Sequence, residues 1–500
     1  MSIMTEIIRR IELGGMEIIS DIISDLIQDH EPKKNKMIAN YERYKAEKDG
    51  VPIFRRNFED RNKINNQIND PFDVDIIDVK VGYMLGNPII YGLDESIYST
   101  TTQDPITGKE IVNVDLARLK MDKKIIDDFN KDNNIEDLDG ETLKMSTICA
   151  YGARLLYINS SAEVKVINID PWECIFVRDG SIVSETQYAL RYYTITDGAE
   201  KKYYVEFYDK ENVYFYITAK GIREYKSGEK LQFIPYEKDG KYILPHMFGG
   251  VPLIRFDNNK ELQGDCDKIF QLIDGYDRVT SDVSSEIEQF RLAYLAFYGM
   301  APDEETIALA KKTGAYGIPD VDSKVEFITK KIDDSVIEHH LDRLQENIYK
   351  FGKSVDFSDK AFAGNITGIA MKFKMFGLES KCVISERKFT ASLRRMYKIL
   401  QTVWSTKGNN LDYKAITFTW TRNFPLNLLD ESLTTKNLKG MISEKTRLGL
   451  LSFIDDPEKE IIEMEKDTEA MGVINLDDMD DQSNQDDDST FGNGDQGGEA

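Results

Sequence analysis

The sequence predicts an α+β fold built from several domains. Residues 154–219 contain short segments rich in β-branched and aromatic residues, separated by turn signals such as Asp179-Gly180. This is the pattern of an antiparallel β-meander. Longer segments on either side repeat apolar residues every three or four positions, as amphipathic helices do. Because 500 residues exceed what one hydrophobic core organises, we expect two to four domains.

Charge is distributed unevenly along the chain. Of the formal net charge of −24, a net −15 falls in residues 455–500, which contain 17 Asp and Glu and 2 Lys. Residues 366–400 have the opposite balance, with eight Lys and Arg against two Glu. A basic segment in an acidic chain favours one surface that meets a polyanion while the rest avoids it. The acidic end is typical of a solubilising disordered tail.

The cysteine pattern and the apolar runs limit the class of protein. Four cysteines stand far apart without a Cys-x-x-Cys pair, so neither a disulfide framework nor a zinc site is expected, and a reducing cytosol fits. The first residues lack the layout of a signal peptide, and no apolar run approaches the roughly 20 residues that span a bilayer. We therefore expect a soluble intracellular protein with no membrane partner.

Helical patterns dominate the N-terminal part. Residues 1–48 place apolar side chains on one helical face. A second helix is predicted with Asp70 as N-cap and Pro71 at its first position, ending at Gly86. Further elements are a hairpin or loop over 89–115, a helix over 116–131 and a helix from Glu141. The predicted strands are 154–158, 164–169, 173–178, 187–196, 202–209 and 212–219, closed by 249–256.

Residues 261–297 are expected to form the longest helix. Apolar residues recur every seven positions in two series offset by four, which is the pattern of a narrow seam for another helix. We expect this seam to contact neighbouring subunits of a closed ring, since heterologous contacts whose rotation closes generate rings. The acidic residues on the other faces are expected to be solvated or to contact neighbours. The seam residues are Ile269, Tyr276, Val283 and Phe290.

The second half of the chain reads as a stalk with a small tip. Residues 299–330 are interrupted by Gly and Pro and contain a strand at 324–329. A returning helix from Asp333, antiparallel to the first, would complete the stalk. The remaining predicted elements are a loop over 355–365, a basic helix over 366–400, a strand over 415–422 and helices over 429–439 and 442–469.

The basic helix allows two interpretations. Met371, Met375, Leu378 and Cys382 form the stripe expected to be buried, and the lysines lie outside it. The first interpretation is a solvated face whose cations pair with acidic stalk helices. The second is weak, sequence-independent contact with phosphates, which would let DNA slide because each contact is a screened charge.

Patterns for catalysis are missing from the sequence. There is no Gly-x-x-x-x-Gly-Lys-Ser/Thr phosphate loop, so a nucleotide-driven motor is not expected. The adjacent His339 and His340 point about 100° apart on a helix and would not chelate one metal ion together. We expect no catalytic residues, no metal site and no cofactor.

Three phrases resemble the portal proteins of tailed bacteriophages, in the branch from long-tailed phages of Gram-positive hosts. They are Val-Lys80-Val-Gly-Tyr-Met-Leu-Gly-Asn-Pro, Val-Pro252-Leu-Ile-Arg-Phe-Asp-Asn-Asn-Lys260 with Leu-Ile-Asp-Gly-Tyr-Asp277, and Gly364-Asn-Ile-Thr-Gly-Ile-Ala running into Met-Lys372-Phe-Lys374-Met-Phe-Gly-Leu-Glu-Ser-Lys381. The resemblance extends over about residues 35–470.

The resemblance implies a division of the chain into portal segments. These are a mixed α/β wing with the meander (1–255), a long two-helix stem (256–298 and 331–353), a small clip (299–330), a channel loop (354–365), a kinked channel helix with a returning wing strand (366–425), a helical crown (426–472) and a disordered acidic tail (473–500). The residues it implies at the DNA channel are Lys360, Asn365, Lys372, Lys374 and Lys381.

The implied function is that of a ring, commonly of twelve subunits, at one capsid vertex of the virion. Double-stranded DNA would enter and leave through its channel, without sequence specificity. The implied partners are the terminase large subunit on the clip, scaffold and major capsid protein during assembly in the host cytoplasm, and a head completion (adaptor) protein afterwards. The alternatives are a head–tail connector without a channel and, less favoured, a packaging nuclease.

Overall fold

The computed structural model describes residues 16–58, 64–103, 110–179, 185–290 apart from 199 and 227, 294–298, 303–308 apart from 306, 324–328, 334–357, 368–424, 428–451 and 459–467, with a few single positions. Helices and antiparallel sheets are both present, which confirms the α+β class. The chain divides into two compact units, one of residues 1–365 and 371–423, the other of residues 366–370 and 424–500.

The helices of the first unit precede and follow residues 151–257, which form its two larger sheets. The helices before the sheets are α1 (Met16–Tyr44), α2 (Phe72–Leu85), α3 (Leu116–Asp132) and α4 (Ile135–Cys149). Those after the sheets are α5 (Phe270–Phe290), α6 (Asp334–Gly352) and α7 (Gly368–Thr406). The longest described helix is α7, with 39 residues, and not the stem helix that the heptad pattern predicted.

Two predicted helix starts are wrong. The N-cap of α2 is Pro71 and not Asp70, whose backbone N–H donates instead to Asp277 Oδ1 at 2.9 Å. This bond holds Asp70, the residue before the N-cap, against α5. The helix predicted from Glu141 begins earlier, at Ile135. The residue before it, Asn134, has a φ of 48°, and this left-handed conformation separates the helix from α3. The predicted helix over 116–131 is confirmed as α3.

The strands form separate sheets. Their bounds are β1 (Ile90–Leu93), β2 (Ser99–Gln103), β3 (Glu110–Val114), β4 (Tyr151–Ile158), β5 (Val164–Ile169), β6 (Cys174–Arg178), β7 (Thr186–Asp197), β8 (Glu200–Tyr208), β9 (Asn212–Thr218), β10 (Phe233–Pro235), β11 (Ile243–Pro245), β12 (Leu253–Asp257), β13 (Tyr294–Tyr298), β14 (Lys324–Ile328) and β15 (Ile416–Thr419). The meander is confirmed for β6 to β10, which pair antiparallel in chain order.

The closing strand of the predicted meander belongs to another sheet. β12 pairs with β4, which pairs with β5, and these strands form a three-stranded sheet of their own. The returning strand β15 pairs antiparallel with β1, so that Ile90 lies opposite Thr419. Residues more than 300 positions apart in sequence therefore pair in one sheet of this unit.

Two hydrophobic cores hold the first unit together. One forms where α1 covers the sheet of β6 to β11, with Ile22 and Ile23 packed on Tyr192, Phe207 and Tyr216. The other joins helices and strands, and its fully buried members come from α2, α5 and α6, from the turn before α5, and from β6 and β7. They include Ile76, Ile269, Ile273 and Ile348. Helices α2, α5 and α6 thus share one core with strands of the same unit.

The stem helix predicted over 261–297 is too long. α5 has 21 residues and is about 30 Å long. In the turn before α5, backbone N–H groups donate to side chains and not to helical carbonyl groups. Asn259 Oδ1 accepts from Gln263 N at 3.0 Å, and Asp267 Oδ2 accepts from Gly264 N at 3.1 Å. At its far end, β13 pairs with β14, because a short run of aromatic and apolar residues suits a strand as well as a helix.

The second unit is helical in its described part, with α8 (Leu428–Asn437) and α9 (Glu444–Leu448) and helical residues again at 459–467. The continuous helix predicted over 442–469 is therefore wrong. Ser443 caps α9 by accepting from Thr446 N, and the helix ends before Gly449. The acidic tail over 473–500 lies outside the described residues.

Candidate DNA-channel helix and its anchor

The N-terminal half of α7 packs through the stripe that the sequence predicted. Met375, Leu378 and Cys382 are buried, and Met371 is half-buried. Lys372 and Lys374 are both exposed. Since successive helical residues turn by about 100°, these two lysines lie about 200° apart, on opposite flanks of the helix.

Lys381 has a different position from the other lysines. Its Nζ lies 3.0 Å from Asp265 Oδ2 and donates to the carbonyl oxygen of Gly352 at 2.8 Å. Only 14% of its side chain is exposed. The ammonium therefore joins α7 to the turn before α5 and to the end of α6, which matches the interpretation that cations pair with acidic stalk elements. We do not retain Lys381 among the residues facing DNA.

Lys381 belongs to a buried polar group that we call the anchor cluster. Its members are Lys80, Asn258, Asp265, Lys381 and Ser385. Lys80, which is completely buried, donates to Asn258 Oδ1 at 2.7 Å, and its Nζ lies 3.1 Å from Asp265 Oδ2. Asn258 Nδ2 donates to Asp265 Oδ1 at 2.7 Å, and Ser385 Oγ donates to Asn258 Oδ1 at 3.0 Å.

The anchor cluster unites the three phrases that carry the resemblance stated above. Lys80 comes from the first phrase, Asn258 and Asp265 come from the second segment, and Lys381 ends the third. Residues separated by up to about 300 positions therefore meet at one point beneath α7. One feature of the sequence pointed to this cluster, namely the lysine within the apolar helix α2. No neighbouring residue in the sequence indicated which group that lysine would contact.

The electrostatics of the anchor cluster depend on one carboxylate shared by two ammonium groups. Burial alone would raise the pKa of Asp265, but Lys80 and Lys381 together hold it far below its usual range. Burial lowers the pKa of Lys80, and Asp265 offsets part of this effect. Asp265 therefore stays ionised, and its charge keeps both cations in place.

Two further charged groups fix α7 to the body. Arg154, also completely buried, contacts Asp139 Oδ1 through Nη2 at 2.7 Å, and its guanidinium lies 5.8 Å from the ring centre of Phe389 on α7. Arg422, which follows β15, contacts Glu379 at 2.9 Å and Glu386 at 2.7 Å. These contacts hold the helix at several points along its length.

The predicted seam on α5 divides into an inner and an outer part. Ile269 is fully buried in the core of its own chain, so it cannot contact a neighbouring subunit. Tyr276 is half-buried and packs edge-on against Phe72 at 4.9 Å between ring centres. Val283 is half-buried as well. The side chain of Phe290 lies outside the described residues, as do Lys360, Asn365 and most of residues 299–330.

A second feature of α5 was missed by the sequence reasoning. Residues 64–70 lie along the helix as a strap, and the N–H groups of Asn66, Ile68 and Asp70 donate to α5. The acceptors are Ser285 Oγ at 3.0 Å, Ser281 Oγ at 2.9 Å and Asp277 Oδ1 at 2.9 Å. Alternate residues of the strap thus meet successive turns of the helix. The available signal was the spacing of four between the polar residues at 277, 281 and 285.

Asp277 makes the strap sensitive to pH. Burial raises the pKa of this carboxyl to about 7, and the neighbouring Asp70 and Asp274 add to the rise, while the Asp70 N–H bond and Arg43 oppose it. Its Oδ2 atom has no hydrogen-bond partner. Because the pKa in the fold exceeds the unfolded value, the stability contributed by protonated Asp277 is fully present below about pH 4 and is lost as pH rises through 7.

We expect Asp277→Asn to remove this pH dependence. The amide keeps an acceptor for Asp70 N–H but cannot ionise, so the free energy of unfolding at pH 8 should rise by about 1–3 kcal/mol relative to the parent chain. At pH 4.5 the two chains should differ little. Chemical denaturation at both pH values measures this, with Asp282→Asn on the exposed face of α5 as the control. Equal pH profiles for parent and variant would contradict the assignment.

Described helices contain no segment long and apolar enough to cross a membrane. Across the described residues, no group of three or more His, Cys, Asp and Glu side chains is arranged to hold a metal ion. The four cysteines are free thiols and all are buried. The geometry of α7 and its anchor is that of a rigid helix held in place by buried charges, with cations exposed on its flanks.

Comparisons with known proteins identify the family of this chain. Residues 23–471 match the family model described as phage portal protein, SPP1 Gp6-like. The chain is 26% identical over 489 residues to the portal protein of Bacillus phage SPP1, covering 93% of this chain and 90% of that relative. It is 25% identical over 438 residues to the portal protein of Clostridium phage phiCD119, covering 82% of this chain and 87% of that relative. The chain therefore belongs to the SPP1 Gp6-like family of phage portal proteins and functions as a phage portal.

Proposed function

We propose that this portal protein forms a closed ring of twelve subunits at one vertex of the capsid, with α7 beside the channel through which DNA enters and leaves. Membership of the portal family supports this role. The observation that carries the proposal is that the basic half of α7 is fixed to the stalk base by the anchor cluster, while Lys372 and Lys374 remain exposed.

The proposed contact with DNA is electrostatic and independent of sequence. Each exposed lysine contributes little against a screened phosphate, but a ring repeats the contact in every subunit. A rigid support for α7 serves this role, since cations on a fixed helix keep a constant distance from the duplex. Lys360 and Asn365, in the loop before α7, are proposed to add to the same channel.

The proposed partners follow the portal role. We assign the clip (299–330) to the terminase large subunit, since it lies between the two stalk helices in the chain. Scaffold and major capsid protein would assemble with the ring in the host cytoplasm, and a head completion protein would bind after packaging. The family is structural, and we assign no catalytic activity to the chain itself.

Imaging the purified protein tests the proposal. We expect negative-stain particles with a central hole and a native mass of twelve subunits, about 690 kDa from a subunit of 57.3 kDa. Exchange of 299–330 for a short Gly/Ser turn should preserve the ring and abolish terminase binding. Sedimentation as a monomer or dimer over a wide range of protein and salt concentrations would refute the ring. A ring that binds head completion protein but never contacts DNA would favour the connector without a channel.

A further inference from the structure

The most exposed face of α7 is apolar rather than basic. Phe373 is 77% exposed, Phe376 is 71% exposed and Ile384 is 48% exposed. At about 100° per residue these three side chains fall within an arc of about 80°, opposite the buried stripe. Gly377 and Ser380 lie between them on the same face. Two large aromatic side chains in water carry a cost that burial would remove.

Small residues next to the aromatic ones suit a partner helix. Gly377 and Ser380, which follow the two aromatic residues along α7, project little from the helix, so another helix can approach closely there while Phe373 and Phe376 pack against one side of it. A duplex would gain less from this face, since phosphates attract cations and not aromatic rings. Lys372 and Lys374 lie on the flanks, outside the apolar arc. Arg387, which is exposed, is the cation within the arc.

A complementary surface exists on α6 of the same chain. Glu338, Asp342 and Glu346 follow one another at intervals of four, and all three are exposed. None of them makes an ion pair with another residue in the described ranges. Like charges at this spacing destabilise a helix unless cations lie nearby.

We infer that the apolar face of α7 in one subunit docks on α6 of a second copy of this chain. Phe373 and Phe376 would be buried in the contact, and Arg387 would lie against the acidic stripe of Glu338, Asp342 and Glu346. The charges of the two surfaces are opposite, and across the described residues the three acidic side chains make no ion pair while Phe373 and Phe376 stay more than 70% exposed. The flanks that carry Lys372 and Lys374 remain uncovered, so the contact is compatible with the channel role. This inference rests on the proposed ring and names the surfaces that build it.

The decisive experiment replaces the aromatic residues in the full-length chain. The double variant Phe373→Ser, Phe376→Ser should reduce the fraction of subunits found in rings at least tenfold at equal protein concentration, measured by native mass spectrometry. Far-UV circular dichroism should stay unchanged, because both side chains are exposed in the subunit. The control Leu116→Ser, Met121→Ser removes two similarly exposed apolar residues from α3 and should assemble normally.

Charge reversal identifies the partner surface. Arg387→Glu should weaken assembly, and adding Glu338→Lys, Asp342→Lys and Glu346→Lys to the same chain should restore it. As a second readout, Phe376→Cys combined with Asp342→Cys should give a ladder of subunits with a bismaleimide, whereas each single variant should not. The native thiols do not interfere, since all four are buried.

The outcomes separate this inference from the ring itself. If the parent chain forms rings and the Phe373→Ser, Phe376→Ser variant forms them equally well, the docking surface is refuted and the ring stands. The same holds if charge reversal on α6 fails to restore assembly of Arg387→Glu. A parent chain that forms no ring under any condition would refute both.

Discussion

Asp265→Ala is expected to lower the free energy of unfolding by about 3–5 kcal/mol, the largest loss of stability that we predict for one side chain. The variant leaves Lys80 buried without a counter-charge and removes the partner of Lys381 as well. Such uncompensated buried charge is costly because the low-dielectric interior replaces little of the lost hydration. In the parent chain, the ionised Asp265 contributes its stabilising free energy fully above about pH 4. This contribution is lost as the pH falls further, because the pKa of Asp265 in the fold lies below its usual value.

Tryptophan fluorescence during denaturation by guanidinium measures this effect at α7. Trp404 lies in α7, and Trp420 donates through Nε1 to Thr390 Oγ1 of the same helix at 3.1 Å. Lys80→Met should cost less than Asp265→Ala, because Asp265 then still pairs with Lys381. Glu185→Ala breaks an exposed pair with Lys398 and should change stability by less than about 1 kcal/mol. A loss for Asp265→Ala no larger than that for Glu185→Ala would show that the cluster does not anchor α7.

Lys372→Glu combined with Lys374→Glu is expected to slow DNA packaging severalfold or stop it, while rings and terminase binding persist. In a ring of twelve the double variant changes the channel by about 48 charge units, because each reversal counts twice. A single exposed lysine would have little effect alone. Packaging assays with purified rings, terminase and DNA measure the rate, and the effect should diminish as salt is raised.

A matched control separates local charge from net charge. Lys120→Glu with Lys124→Glu makes the same change in net charge on α3, where both lysines are exposed, and should leave packaging unaffected. Two results would contradict the channel role of Lys372 and Lys374. One is normal packaging by intact variant rings. The other is loss of ring assembly before any effect on packaging, which would indicate that the lysines support the subunit contacts.

Local pattern in the sequence determined much of the secondary structure. The alternation of β-branched and aromatic residues with turn residues gave the strands β4 to β9, since strand periodicity depends on residues two apart. The spacing of Met375, Leu378 and Cys382 gave the buried side of α7, because helix periodicity depends on residues three or four apart. The family followed from continuous phrases. These features are local, so the sequence alone determined them.

Which charges are buried depends on contacts between distant segments of the chain. Lys80 and Asp265 are 185 positions apart, and no periodicity relates two residues at that distance. Lys381 looks like Lys372 and Lys374 in the sequence, but the fold places the Asp265 carboxylate 3.0 Å from its ammonium and leaves only 14% of its side chain exposed. Ile269 fits the seam by its spacing, yet α2 and α6 bury it within its own chain. Whether a charged or apolar side chain is buried or exposed depends on the residues that the fold places next to it. Those residues come from segments that are distant in the sequence.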